Sequence, residues 1–258
     1  MGATNCLQVL PLSPWPNRSY RSNLSHDISW SNAVKAWIQR LVQVAEFCLE
    51  SACPLCSRSS PTPVCSTCQQ RLQQSALTSP EQFWQPPLPL FAWGRYDNSL
   101  KRAIAALKYE NQPRLAEPLG HWLAQSWLAS PLALTRRNLW VVPIPMHSEK
   151  QAQRGFNQAE LLARAFCHST GLPLQPQALH RRRATVAQFG LSATARHENL
   201  SGAFELGTAL PVGATVLLLD DIYTTGATTR AAAQTLRQRY SVYGMAAVAK
   251  TATAAVPL

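Results

Sequence analysis

A chain of 258 residues is long enough for one large domain, or for a main domain with a small appendage. Its 46% hydrophobic and 14% charged content supports a buried core and excludes a wholly disordered chain. Lys+Arg 24 against Asp+Glu 13 gives a net charge of +11, which points to polyanionic partners and says nothing about fold. Between Arg95 and Arg196 fourteen Lys/Arg stand against five Asp/Glu, so +9 of the +11 falls there, as a solvated surface or as a seat for anions. No window approaches ~20 consecutive apolar residues, so no membrane span is expected. The stretch Leu7 to Pro11 is too short and broken for a signal-peptide core, which leaves the cytoplasm as the expected compartment.

Residues 1–30 contain Pro11, Pro14 and Pro16 among many Ser and Asn without a period, and read as an unstructured extension. From Ser31, a helix N-cap, apolar residues recur at Val34, Trp37, Ile38, Leu41, Ala45 and Cys48, the spacing of an amphipathic helix. Two Cys-x-x-Cys pairs follow, Cys53/Cys56 and Cys65/Cys68, so that 31–80 reads as this helix plus a four-cysteine zinc-binding module. Each short turn aims two thiolates at one point, as a tetrahedral zinc ion requires. The same pairs could serve as a disulfide or a redox dithiol. A disulfide framework fits poorly with a non-secreted chain, and a redox motif needs only one pair beside a βαβ unit. Four Cys ligands leave no open position for water, so the zinc is structural.

The proline-rich segment Pro80 to Pro89 marks the boundary to the main domain, taken as 90–258. There Leu90 to Tyr96 reads as a strand and Asn98 to Tyr109 as a helix with Leu100, Ile104 and Leu107 on one face. Leu115 to Ala129 reads as a second helix, Leu139 to Ile144 as a buried strand, and, after a loop, Ala159 to His168 as a helix stopped by Gly171. Thr215 to Asp220 is a second buried strand, followed by a Thr/Gly turn, a helix from Ala227 to Arg239, and a strand from Val242 to Ala249. This alternation implies an α/β fold with a parallel sheet covered on both faces. Trp84, Trp93, Trp122, Trp127 and Trp140 follow the apolar periodicity, which makes them packing residues more readily than base-stacking ones.

The run Val216 to Thr228 combines strand, acids, turn and helix start. Asp220 and Asp221 end the strand at the carboxyl edge of a sheet, where open α/β folds bind ligands. The helix start offers free N–H groups, Thr224, Thr225 and Thr228 add hydroxyls, and Gly226 allows close backbone approach, a seat for a phosphate monoester. Paired carboxylates beside that seat suit a ligand with two neighbouring hydroxyls, as in ribose. An ordinary capped helix is the plainer alternative. No Gly-x-x-x-x-Gly-Lys-Ser/Thr loop occurs, which removes the P-loop enzymes.

This run is similar to the phosphoribosyl pyrophosphate signature of type I phosphoribosyltransferases. More closely, the chain resembles the ComF family, the competence-associated branch with an N-terminal zinc module. Further matching blocks are Tyr109-Glu110, Val142-Pro-Ile-Pro145, Arg154-Gly-Phe-Asn-Gln158, and Arg183-Ala-Thr with Gln188, Leu191, Arg196 and Asn199 before Ala203-Phe204. The resemblance implies a phosphoribosyltransferase-like domain that binds phosphoribosyl pyrophosphate with magnesium. Asp220 and Asp221 would hold the ribose hydroxyls, directly or through the metal, and the turn Thr224, Thr225, Gly226, Ala227 and Thr228 would grip the 5′-phosphate. Arg154 would face the pyrophosphate, and Arg181, Arg182, Arg183 and Arg196 would lie in a mobile hood. After Cys68 the only further cysteine is Cys167, so a single four-ligand zinc is expected. No acceptor-specific hood is visible. Two functions follow from the resemblance: a transferase of unidentified acceptor linked to DNA uptake, or a non-catalytic competence protein that binds single-stranded DNA through its basic surface and zinc module and whose ribose-phosphate site is regulatory or vestigial; a competence helicase is an expected partner.

Overall fold

The computed structural model describes residues 51–134, 138–182 and 202–252. The extension 1–30, the helix expected from Ser31, and the stretch from Arg183 to Asn199, with Arg196, lie outside the described residues.

The cysteine region opens with a short antiparallel pair, β1 (Ser51–Ala52) on β2 (Ser59–Ser60), and continues into α1 (Ser66–Gln73). The chain then runs through β3 (Leu90–Arg95), α2 (Asn98–Tyr109), α3 (Ala116–Ala129), β4 (Leu139–Pro143), α4 (Ser148–Arg154) and α5 (Gln158–Thr170). A small antiparallel pair, β5 (Leu179–Arg181) with β6 (Phe204–Leu206), precedes β7 (Thr215–Tyr223), α6 (Ala227–Leu236) and β8 (Ser241–Lys250). Strands β3, β8, β7 and β4 form one parallel sheet in that order, the α/β architecture that the alternation of signals implies.

Both faces of this sheet are covered, and the two-residue alternation of side chains sorts the core. On one face Leu217 and Leu219 of β7 pack in a cluster with Ile104 of α2, with Leu123 and Trp127 of α3, and with Phe166 of α5. On the other, Val216 and Leu218 pack with Leu236 of α6 and with Leu179 and Phe204 of the small antiparallel pair. The cysteine region joins the first of these clusters, because Cys53, Val64 and Leu72 are buried together with Trp93 and Leu100. Trp93, Trp122 and Trp127 are all buried, Trp93 stacked on Trp122, which agrees with their packing role.

Backbone pairing continues beyond both outer strands. Leu77 donates its N–H to the Trp93 carbonyl at 2.8 Å and Arg95 donates to Ser75 at 2.8 Å, so the segment after α1 lies along β3. On the opposite side Val141 of β4 donates to Pro173 and accepts from Gln175, both at 2.9 Å.

Helix α1 and the small strands β1, β2, β5 and β6 go beyond the sequence expectation, α6 ends at Leu236 rather than Arg239, and two further differences bear on the site. The loop expected after Pro145 contains α4, whose polar sequence Ser-Glu-Lys-Gln-Ala-Gln-Arg has no buried residue and therefore no apolar period to reveal it. Strand β7 runs three residues past Asp220, with Ile222 and Tyr223 still paired to β8.

Trp127 is 1% exposed and meets Trp84, Phe91, Phe166 and Tyr243 edge to face. Trp127→Ala is expected to cost about 3–5 kcal/mol of stability, read by equilibrium urea denaturation.

Candidate functional site

The carboxyl ends of β4 and β7, the start of α5, the end of α2 and the turn into α6 surround a cavity of about 290 Å³. Of the residues singled out from the sequence, Asp220, Asp221, Thr224, Thr228, Arg154 and Arg181 line it. Thr225, Gly226 and Ala227 belong to the same turn but are not among its lining residues. Arg182 lies outside the cavity, paired with Glu205.

The turn is shaped by Gly226, which caps α6 in the left-handed region at φ 73°. A Cβ at this position would also collide with the phenol of Tyr223, so the room left by the missing side chain is filled by that ring. Arg230 donates to the Thr225 carbonyl at 2.8 Å and steadies the turn. The N–H groups of Ala227, Thr228 and Thr229 in the first turn of α6 have no intrahelical acceptor by the geometry of a helix. Thr224 and Thr228 stand beside them on the cavity wall.

The block Arg154 to Gln158 is a helix-to-helix junction. Gly155, at φ 84°, ends α4 in a conformation that other residues rarely adopt, and α5 begins three residues later. Asn157 caps α5 by accepting from the Ala159 N–H at 3.1 Å, and its Nδ2 donates to the Ile144 carbonyl at 3.1 Å. This ties the start of α5 to the end of β4. Gln158, the first residue of α5, donates Nε2 to Asp221 Oδ1 at 3.2 Å and accepts from Arg154 Nη1. The Arg154 guanidinium also stands over the Tyr109 ring, 5.4 Å from its centre.

Lys108, in the last turn of α2, forms an ion pair with Asp221. The two side chains are 17% and 3% exposed. Burial alone would push the Asp221 carboxyl up, but the Lys108 ammonium and the hydrogen bonds from Lys108 and Gln158 bring it below the usual range. The same ion pair outweighs burial at Lys108 and raises its pKa. Asp220 moves the other way. Burial, the negative charge of Asp221 and a hydrogen bond between the two carboxyl groups hold it well above the ordinary carboxylate range. Burial lowers the Arg181 pKa, an effect that Asp220 opposes. The cavity thus sets the cations Arg154, Lys150 and Arg181 around one poorly compensated carboxylate, a polar site that suits a polyanion bearing hydroxyl donors.

Sequence reasoning missed Lys108 and Lys150. Lys108 had a signal: it follows Leu100 and Ile104 at four-residue steps, a charge on the apolar stripe of α2.

The cysteines form a second cluster. The Sγ atoms of Cys53, Cys56, Cys65 and Cys68 all lie within 4.8 Å of one another, and Cys56 and Cys65 are 3.5 Å apart. None of the four is disulfide-bonded. Ligands ~2.3 Å from a tetrahedral ion stand about 3.8 Å apart, so the spacing fits a single metal ion. Burial raises the Cys53 thiol, yet hydrogen bonds from the Cys65 and Leu55 backbone and from neighbouring thiols bring it down to about 7, whereas burial and the same neighbouring thiols push Cys68 up. Cys167 is buried and pushed up to about 12, and stands apart from this cluster.

A scan against models of protein families finds no match. Among curated proteins, the chain is 32% identical over 194 residues to the DNA utilization protein YhgH of Salmonella typhi, covering 67% of this chain and 83% of that protein. The chain belongs to the ComF family. Other ComF relatives are the competence protein F of Haemophilus influenzae, 30% identical over 71% of this chain and 84% of that protein, and the competence protein ComFC of Bacillus subtilis, 25% identical over 72% of each. Among the described residues of this ComF chain, no helix is long and apolar enough to cross a membrane.

Removing the cation from Lys108 leaves Asp221 buried and uncompensated. Lys108→Met is expected to cost about 3–5 kcal/mol at pH 7 in urea denaturation. Because the folded Asp221 pKa lies below its unfolded value, the stability it contributes is present above the unfolded pKa and lost as pH falls through the folded one. The gap between Lys108→Met and the parent should therefore narrow on acidification below the carboxylate range.

Proposed function

We propose that this chain binds phosphoribosyl pyrophosphate with magnesium in the cavity at the β7 edge, and that it acts in DNA utilization or competence. The observation that carries the ligand assignment is that Asp220 lines one cavity together with Thr224 and Thr228 and with Arg154, Lys150 and Arg181. A phosphoribosyl pyrophosphate presents one group for each: hydroxyls for a carboxylate, a 5′-phosphate for the Thr turn and helix start, and a pyrophosphate for the cations. The relatives named for DNA utilization and competence support the cellular part of the reading.

In this reading the protein acts chiefly by holding the ligand. Asp220, directly or through magnesium, accepts from the ribose hydroxyls and stands close to positive charge developing on the sugar. Magnesium, when bound with the ligand, offsets the charge of the departing pyrophosphate. Arg154 and Lys150 do the same from the protein side. Whether an acceptor then attacks the sugar distinguishes a transferase from a binding protein. The alternative is a non-catalytic protein that binds single-stranded DNA through its basic surface and zinc module, without base stacking on Trp93, Trp122 and Trp127, which are buried in the core.

Calorimetric titration of the wild-type chain with phosphoribosyl pyrophosphate should give magnesium-dependent binding, and Asp220→Asn with Asp221→Asn should abolish it. Binding that survives the double substitution removes the carboxylates from the site. For the cysteine cluster we infer a structural zinc ion. Elemental analysis of purified protein should find about one zinc per chain, and its removal by chelation should lower the melting temperature.

A further inference from the structure

Asp220 and Asp221 line the same cavity and their carboxyl groups interact, but their other partners differ. Strand β7 continues through both to Tyr223, so their side chains leave the strand in opposite directions, although at the edge of the sheet the two carboxyl groups still interact. Asp221 shares its parity with Leu217 and Leu219 and turns toward α2 and α5, where Lys108 and Gln158 take its oxygens. Asp220 shares its parity with Val216 and Leu218, and its Oδ1 accepts the Asp221 N–H at 2.8 Å.

Gln158 stands between an acceptor and a donor. A carboxylate only accepts and a guanidinium only donates, so the amide has one satisfactory orientation, Nε2 toward Asp221 and Oε1 toward Arg154. Arg154 then meets Tyr109, which follows Lys108 in the chain, and Lys108 returns to Asp221. The contacts close a ring: Lys108, Asp221, Gln158, Arg154, Tyr109.

We propose that the two aspartates have separate tasks: Asp220 alone meets the sugar of the ligand, while Asp221, held by Lys108, is a positioning residue that aims Arg154 at the pyrophosphate through Gln158. This rests on the ligand assigned above and departs from the expectation that both carboxylates hold the ribose. It follows that the sugar end and the pyrophosphate end of the cavity respond to different substitutions.

The test titrates the full chain with two probes, ribose 5-phosphate and inorganic pyrophosphate, each with magnesium. Asp220→Asn should weaken ribose 5-phosphate roughly tenfold or more and leave pyrophosphate within about twofold. Arg154→Gln should do the reverse. Asp221→Asn and Gln158→Leu should both follow the Arg154→Gln pattern. A role confined to general stability would weaken both probes alike, so the ratio between probes is the readout. Circular dichroism reports whether each variant is folded, and if Asp221→Asn unfolds, Gln158→Leu decides the matter, since it leaves the Lys108 pair intact. Loss of ribose 5-phosphate binding in Asp221→Asn or Gln158→Leu, or equal loss of both probes in Gln158→Leu, overturns the division while leaving the ligand assignment in place. If the wild type binds neither probe, the assignment itself falls and the division with it.

Discussion

Asp221 has almost no access to water, and an ionised carboxylate survives there only because other groups replace its hydration. The replacements come from two separate parts of the chain, the ammonium of Lys108 at the end of α2 and the amide of Gln158 at the start of α5, which meet at the strand that carries Asp221. Satisfying one buried charge therefore fixes where two helices end and begin relative to the edge of the sheet. The cavity is what remains between those ends, and the Asn157 bond to the Ile144 carbonyl adds the end of β4 to the same framework.

Much of this was legible in the sequence, for identifiable reasons. The buried strands Leu139 to Pro143 and Thr215 to Asp220 declare themselves by continuous apolar runs, and α2, α3 and α5 by a period set by one buried face. The acidic pair, the Thr turn and the cysteine pairs depend on short spacing along the chain, which sequence reports directly. The bonds of Lys108 and Gln158 to Asp221 join residues far apart in the chain, and these it does not report. One clue was available even so. Ending β7 at Asp220 hides the consequence of strand alternation, whereas extending it by three residues gives the two aspartates different departure directions and so different partners. Helix α4 was invisible because it buries nothing, and a helix with no apolar stripe leaves no period to find.

The cysteine module is fused to the sheet through packing as well as through the chain. Cys53, Val64 and Leu72 share a buried cluster with Trp93 and Leu100, and Arg114 donates to the Ala52 carbonyl from beyond α2. The module's small size makes a metal cross-link an effective substitute for a core of its own. Its contacts with the α2 side of the sheet mean that order in the knuckles bears on the helix that supplies Lys108.

The segments along β3 and β4 have an effect of their own. An outer strand with unpaired N–H and carbonyl groups is a template on which a second polypeptide can extend the sheet. Here Ser75 and Leu77 occupy that template on one flank and Pro173 and Gln175 on the other, each by way of residues from this same chain. Strand addition at those hydrogen bonds is thereby closed to outsiders. What these flanks leave to a visiting macromolecule is side chains and surface charge, which in a chain of net charge +11 favours acidic company.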